Sequence, residues 1–233
     1  MANDSDFTAA MRRIQLREFI RILTSVIAGA VVAILLVRCV PVSAEIIPQA
    51  ANAHRATLVR AAHSTWGLDA PIATFAAQVH QESHWRADAE SPVGALGIAQ
   101  FMPATAVWME EIYPRALANA DPLNPGWALR AMVKYDLWLH QRNHANDPCD
   151  HWAMTLAAYN GGQGWVNRER KLALASGADG LAWFDHIERF NAGRSAANFR
   201  ENRHYPRVIL LRWEPLYVRA GWGHGVCGMR YSL

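Results

Sequence analysis

Apolar residues recur at three- and four-residue spacing through most of the chain after residue 52, and no alternating run is long enough to make a strand. The spacing predicts helices over residues 53–66, 70–83, 103–112, 124–144, 150–160, 163–176, 181–190 and 203–220. Asn124-Pro125 supplies a cap and first turn for the helix carrying Met132, Tyr135, Leu137, Trp138 and Leu139, and Gly161-Gly162 closes the helix over 150–160. With no internal repeat or low-complexity tract, the pattern predicts one all-α domain over residues 53–233.

The N-terminal pattern differs. Residues 22–37 carry no charge, and only Thr24 and Ser25 among them are polar. Arg12, Arg13, Arg17 and Arg21 precede this run and Arg38 closes it. It is shorter than the roughly 20 residues of a comfortable transmembrane helix, and suits a signal-peptide core or a marginal membrane anchor. Arginines ahead of an apolar run hold the N-terminus in the cytoplasm and send the downstream chain across the membrane. Val42-Ser43-Ala44 offers small residues to a signal peptidase, while the long leading segment and the weakly apolar Gly29 and alanines lean toward a retained or slowly released anchor. The expected division is 1–21 cytoplasmic, 22–40 signal or anchor, 41–52 linker (with Pro41 and Pro48), and 53–233 exported domain.

Composition fits a chain with a substantial core: 52% of residues are hydrophobic and 18% charged. The formal charge of +3 falls to about +1 without the first 44 residues, which leaves no nucleic-acid footprint. Such a weakly cationic surface still suits an anionic polymer. Cys149 and Cys227 lie in the exported part and are candidates for a disulfide, with Cys39 left over at the membrane edge.

Candidate chemistry concentrates at residues 81–106. Glu82 ends an apolar stretch, with Phe75, Gln78 and Val79 on its side of the helix, and a Ser-Pro-Val-Gly turn comes after it at 91–94. An acid over an apolar stripe loses hydration, which raises its pKa and equips it to donate a proton near neutrality. His80 and His84 share a face at the spacing of a zinc site, but Glu82 sits roughly 160° away from that pair and cannot act as its base. The expectation is two solvated histidines and no metal. Trp85 and Trp108 flank the run as candidates for stacking on a ligand, whereas Trp138, Trp152 and Trp213 fall in core patterns.

The run resembles the first motifs of the soluble lytic transglycosylases. Glu82, Ser83 and Ser91 match motif one; Gly94, Ala95, Gly97, Gln100, Met102, Pro103, Thr105 and Ala106 match motif two, with Ile98-Ala99 where the family has Leu-Met. Ala157, Ala158, Tyr159, Asn160 and Gly162 match motif three, and Glu201-Asn202-Arg203-His204-Tyr205 is similar to a fourth element, with Asn for Thr and Pro206 for Val. The resemblance implies a goose-type lysozyme-like fold. It also implies cleavage of the bond between N-acetylmuramic acid and N-acetylglucosamine in peptidoglycan, with formation of a 1,6-anhydro product and no cofactor. Glu82 would be the catalytic acid, and Ser83, Ser91, Gly97, Gln100, Tyr159, Asn160, Glu201 and Tyr205 would meet the substrate, Tyr159 orienting either Glu82 or the sugar. Asp88 and Glu90 are the acids nearest in sequence that a hydrolytic mechanism would recruit to hold a water. The implied protein is a monomer working on glycan strands in the periplasm, attached at first through its N-terminal segment. Its plan fits a phage endolysin used for cell lysis, or a bacterial wall-remodelling enzyme of a secretion system.

Overall fold

Helix ends set by individual side chains and strained residues determine where the chemistry falls. The computed structural model describes residues 46–228, so the expected cytoplasmic segment, the anchor and Cys39 lie outside the described residues. None of the helices described is long and apolar enough to cross a membrane. The order is α1 (Gln49–Trp66), α2 (Ile72–Ser83), α3 (Pro103–Ile112), α4 (Pro125–His140), α5 (Pro148–Gly161), α6 (Gln163–Ala175), a 3-10 turn (Ile187–Arg189), α7 (Ala196–Val208), a π-helical stretch (Ile209–Trp213) and α8 (Glu214–Arg219). Among the described residues the β pairings are isolated bridges, Glu90 with Leu96 and Leu96 with Phe101. The architecture is the all-α one that the periodicity predicts.

The central element is α2, buried from Ile72 through His80 and so apolar on nearly every side. It packs against α1, the π-helical stretch and α8. It stops because His84 and Trp85 both take positive φ, 53° and 66°, which no α-helix accommodates. Glu82 is thus fixed in the last turn of a helix that has little freedom to move. Asn124 caps α4 by accepting from the amides of Gly126 and Trp127, with Pro125 at the first position, as the sequence predicts. Asp147 does the same for α5, accepting from Asp150 N.

Two expected helices take other forms. Residues 181–190 are turns with one 3-10 segment, because side chains claim the backbone donors that a helix would use. Asp150 Oδ1 accepts from Trp183 N and Phe184 N, Glu188 Oε1 accepts from Asp185 N, and Asp185 has φ 62°. The predicted 203–220 helix begins earlier, capped by Ser195, and is interrupted. Pro206 has no N–H for the carbonyl one turn back, and the ladder re-registers three residues later as the π-helical stretch.

The core is rich in aromatic rings. Trp66 stacks on Trp152 with centroids 5.0 Å apart, and Phe75 meets Trp152 edge-on at 5.2 Å. Cys149 at the start of α5 is disulfide-bonded to Cys227, tying the last described residues to the centre of the fold.

Candidate active site

A cleft of about 250 Å³ opens over the end of α2, lined by Glu82, Ser91 and Gln100 among others, with Tyr135 of α4, Tyr159 and Asn160 of α5, and Glu201 of α7. Its wall is the loop between α2 and α3. That loop is folded on itself by paired bonds between Leu96 and Phe101, by Ser91 N to Ala95 O at 2.9 Å, and by Gly97 N to Ala89 O at 2.7 Å.

Glu82 lies half-buried on the floor, and the phenol of Tyr205 donates a hydrogen bond to its Oε1. Burial pushes the carboxyl up to about 8, the Tyr205 bond opposes this, and the neighbouring Glu201 charge adds to it. No cation lies among the residues that line the cleft. Near neutrality this carboxyl therefore holds its proton while facing an open space, which is the state required of a general acid.

Several expected site residues occupy different positions. Ser83 is 1% exposed and donates to Ile98 O at 2.8 Å, so it ties the loop to α2 and does not reach a ligand. Gly97 serves packing: a Cβ there would stand 1.8 Å from Pro122 O, and its φ is 73°. Tyr159 does line the cleft, but its hydroxyl donates to Ala99 O at 2.8 Å, and it is Tyr205, expected among the substrate contacts, that holds Glu82. Trp85 is 1% exposed, with its Nε1 on Tyr217 OH at 2.6 Å, and belongs to the core. Trp108 is half-buried against Tyr135 and Trp138. Asp88 and Glu90 do not line the cleft. Of the two histidines, only His84 is exposed; His80 is buried, stacks on Trp213 at 4.1 Å and pairs with Tyr217 OH at 3.0 Å.

The remaining expected residues gather in the cleft. Ser91 accepts from Ala95 N, and the Gln100 amide donates to Ala89 O and Gly97 O, so both are held by the loop whose surface they present. Asn160 donates to Glu201 Oε1 at 3.2 Å. The fourth element is bolted from below. Arg203 pairs with buried Glu169 at 2.9 Å and donates to Glu188 O and Phe190 O. Its neighbour Asn202 donates to Ala157 O at 2.8 Å and to Asn160 Oδ1 at 2.9 Å. These bonds explain the Asn at 202 and the glycine at 161, where a Cβ would stand 2.7 Å from Asn202 Nδ2 and 2.4 Å from Arg194 Nη1.

Two residues beneath the cleft, Asp136 and Gln78, carry no family motif. Asp136 of α4 is fully buried and accepts from Gln78 Nε2 at 3.2 Å. The sequence signal is an acid on the apolar face of α4, between Met132 and Leu139.

The family model "Transglycosylase SLT domain" matches residues 57–180. Among curated relatives, the membrane-bound lytic murein transglycosylase F of Vibrio parahaemolyticus is 31% identical over 132 residues, 56% of this chain and 23% of the relative. Membrane-bound lytic murein transglycosylase F 2 of Alkalilimnicola ehrlichii is 32% identical over 157 residues, 65% of this chain and 32% of the relative. The chain thus spans about a quarter to a third of these relatives' length. An inactive mutant of lytic transglycosylase Slt from Pseudomonas aeruginosa superposes with TM-score 0.53 at 27% identity, covering 75% of this chain and 25% of that one. The 70-kDa soluble lytic transglycosylase of Escherichia coli gives TM-score 0.52 at 24% identity over 73% of this chain and 25% of that one, which is a likeness of fold.

Proposed function

The chain belongs to the transglycosylase SLT domain family, and on that premise we propose that it is a peptidoglycan lytic transglycosylase with Glu82 as its catalytic acid. The observation that carries this reading is a half-buried carboxyl, raised to about 8 and held by Tyr205, on the floor of a cleft. Glu82 gives its proton to the oxygen joining N-acetylmuramic acid to N-acetylglucosamine, and that bond breaks as positive charge builds on the muramoyl ring. The carboxylate left behind, stabilised by the Tyr205 hydroxyl, takes the proton of the muramoyl C6 hydroxyl as its oxygen attacks C1. The attack is intramolecular, so the nucleophile is already in place and water is not consumed. Glu82 ends the cycle protonated.

In this reading Ser91, Gln100, Asn160 and Glu201 bind the sugars' N-acetyl and hydroxyl groups and Tyr159 shapes the wall, which is supported by all five lining the cleft. Hydrolysis by a second acid holding water is the rival chemistry. Against it stands that Asp88 and Glu90, the acids expected to hold that water, are not among the residues lining the cleft. Digestion of purified sacculi followed by mass spectrometry tests the reading: the released muropeptides carry a 1,6-anhydro end, lighter by one water than a hydrolytic product. Reducing ends alone would mean a muramidase.

We place the domain on the periplasmic side of the inner membrane, with residues 22–40 as the attaching segment. The arginine-flanked apolar run supports this, and so does a disulfide, which suits an oxidising compartment. A role in cell lysis is expected if the segment can leave the bilayer, and a wall-remodelling role if it stays. Membrane fractionation of the full chain during expression, read against the onset of lysis, separates the two.

A further inference from the structure

Behind Glu82 lies a second carboxyl that the proposed reaction does not use. Asp136 and Gln78 are both 0% exposed, and Gln78 stands one helical turn before Glu82 on α2. A single bond joins them, Gln78 Nε2 to Asp136 Oδ1 at 3.2 Å. The other oxygen of each group, Gln78 Oε1 and Asp136 Oδ2, is buried without a partner. Both are acceptors if Asp136 is ionised, so nothing can pass between them. One proton on Asp136 Oδ2 turns an acceptor into a donor and removes both vacancies together.

We propose that Asp136 is carried as a neutral carboxylic acid that donates to Gln78 Oε1, closing a two-bond acid–amide pair that positions Glu82 and keeps the ground beneath it uncharged. Among the described residues no Lys, Arg or His forms an ion pair with Asp136. The charged group that acts on it is Glu82 from α2. The other titratable groups around it, Tyr135 from its own helix, Tyr159 from α5 and Tyr205 from α7, are acids as well, each of which a charge at 136 would hold up in turn. From α1, Trp66 turns its N–H to Val133 O and brings no charge. Desolvation holds the Asp136 carboxyl well above the usual carboxylate range, in agreement with the bonding pattern. The neutral pair leaves Glu82 able to ionise when its proton has gone to the leaving oxygen; a fixed charge at 136 would oppose that second negative charge.

The functional half of this inference rests on Glu82 being the catalytic acid; the protonation of Asp136 does not. The experiment is therefore in two parts. Infrared difference spectra of wild type against Asp136→Asn, near neutral pH in heavy water, are expected to contain the carbonyl stretch of one protonated carboxyl that is lost in the variant and kept in Glu82→Gln. A wild-type spectrum without that band overturns the proposal, whatever the enzyme's activity. Asp136→Asn presents an acceptor and a donor in the same plane, so it rebuilds both bonds with Gln78. It should retain kcat on sacculi within about a factor of two and keep the alkaline limb of its pH profile, whereas Asp136→Leu, which strands the amide, loses about tenfold in kcat. A drop of about one pH unit in the alkaline limb of Asp136→Asn would mean that a charge had been removed, and overturns the proposal. Circular dichroism establishes that Asp136→Leu is folded before its rate is read. If wild type itself releases no anhydro product, the proposed function fails while the infrared result stands on its own.

Discussion

The hydroxyl of Tyr205 donates to the carboxyl of Glu82 across 123 residues of sequence. The bond favours the ionised form of the acid, against the burial that disfavours it, and so holds Glu82 at a level where it can both lose and regain a proton. Replacing Tyr205 by Phe removes only the hydroxyl. The expected result is an alkaline limb of kcat/KM displaced upward and a kcat lower by about tenfold or more, as for loss of a hydrogen bond to a charged group. Rates on sacculi across a pH series measure both.

Activity should need Glu82 protonated and decline as pH rises through about 8. Glu82→Gln should abolish lysis at every pH. The same shift has a stability side. A carboxyl raised in the folded state contributes stability that is fully present below its unfolded value of 4.5 and is lost as pH climbs toward about 8. Wild type is expected to melt at lower temperature as pH rises across that window, while Glu82→Gln melts with a visibly shallower pH dependence. Thermal denaturation of the two proteins in parallel checks this.

Arg203 holds the fourth element in place through Glu169, Glu188 O and Phe190 O at once. Lysine cannot reproduce a planar fork with these contacts. Arg203→Lys should cost about 3 kcal/mol of stability by leaving Glu169 with one of its two arginines, Arg194. Chemical denaturation provides the number, and a loss of lysis in the surviving folded fraction would result from displacement of Tyr205.

The disulfide spans 78 residues of sequence, and its removal should lower stability by about 4 kcal/mol on the chain-entropy account. Unfolding of Cys149→Ser/Cys227→Ser, compared with oxidised wild type, reads the difference directly.

Gly97→Ala should fail in a different manner. Its new methyl would meet Pro122 O at a backbone position with φ 73°, so the wall loop must move. Lower melting temperature and a raised KM are expected together, because the displaced loop carries Gln100.

Much of this arrangement was legible along the chain, where the determinants are local. The Asn124 cap, the Gly161-Gly162 stop and the apolar side of α2 facing Glu82 are short-range facts, and the structure has each of them. What could not be read are pairings between distant residues. Ser83, Trp85 and Tyr159 are polar or aromatic groups beside a motif, and sequence cannot say whether their donors meet a ligand or a carbonyl such as Ile98 O or Ala99 O. Residues 181–190 have helical periodicity, yet Asp150 captures their amides from another helix. Asp136 did leave a trace, an acid on an apolar face, whose meaning depends on Gln78 standing opposite.

The burial of α2 on nearly every side divides the molecule into parts that can and cannot be re-engineered. Residues that surround the acid from within, such as Phe75 and Val79, are wholly enclosed, so changes there register as cavities or clashes before they alter selectivity. The cleft's outer lip is another matter: Val93 and Met102 stand 76% and 43% exposed on the cleft wall. Libraries aimed at new saccharide or stem-peptide preference should be built on that lip, since it can be rewritten without disturbing the proton donor beneath.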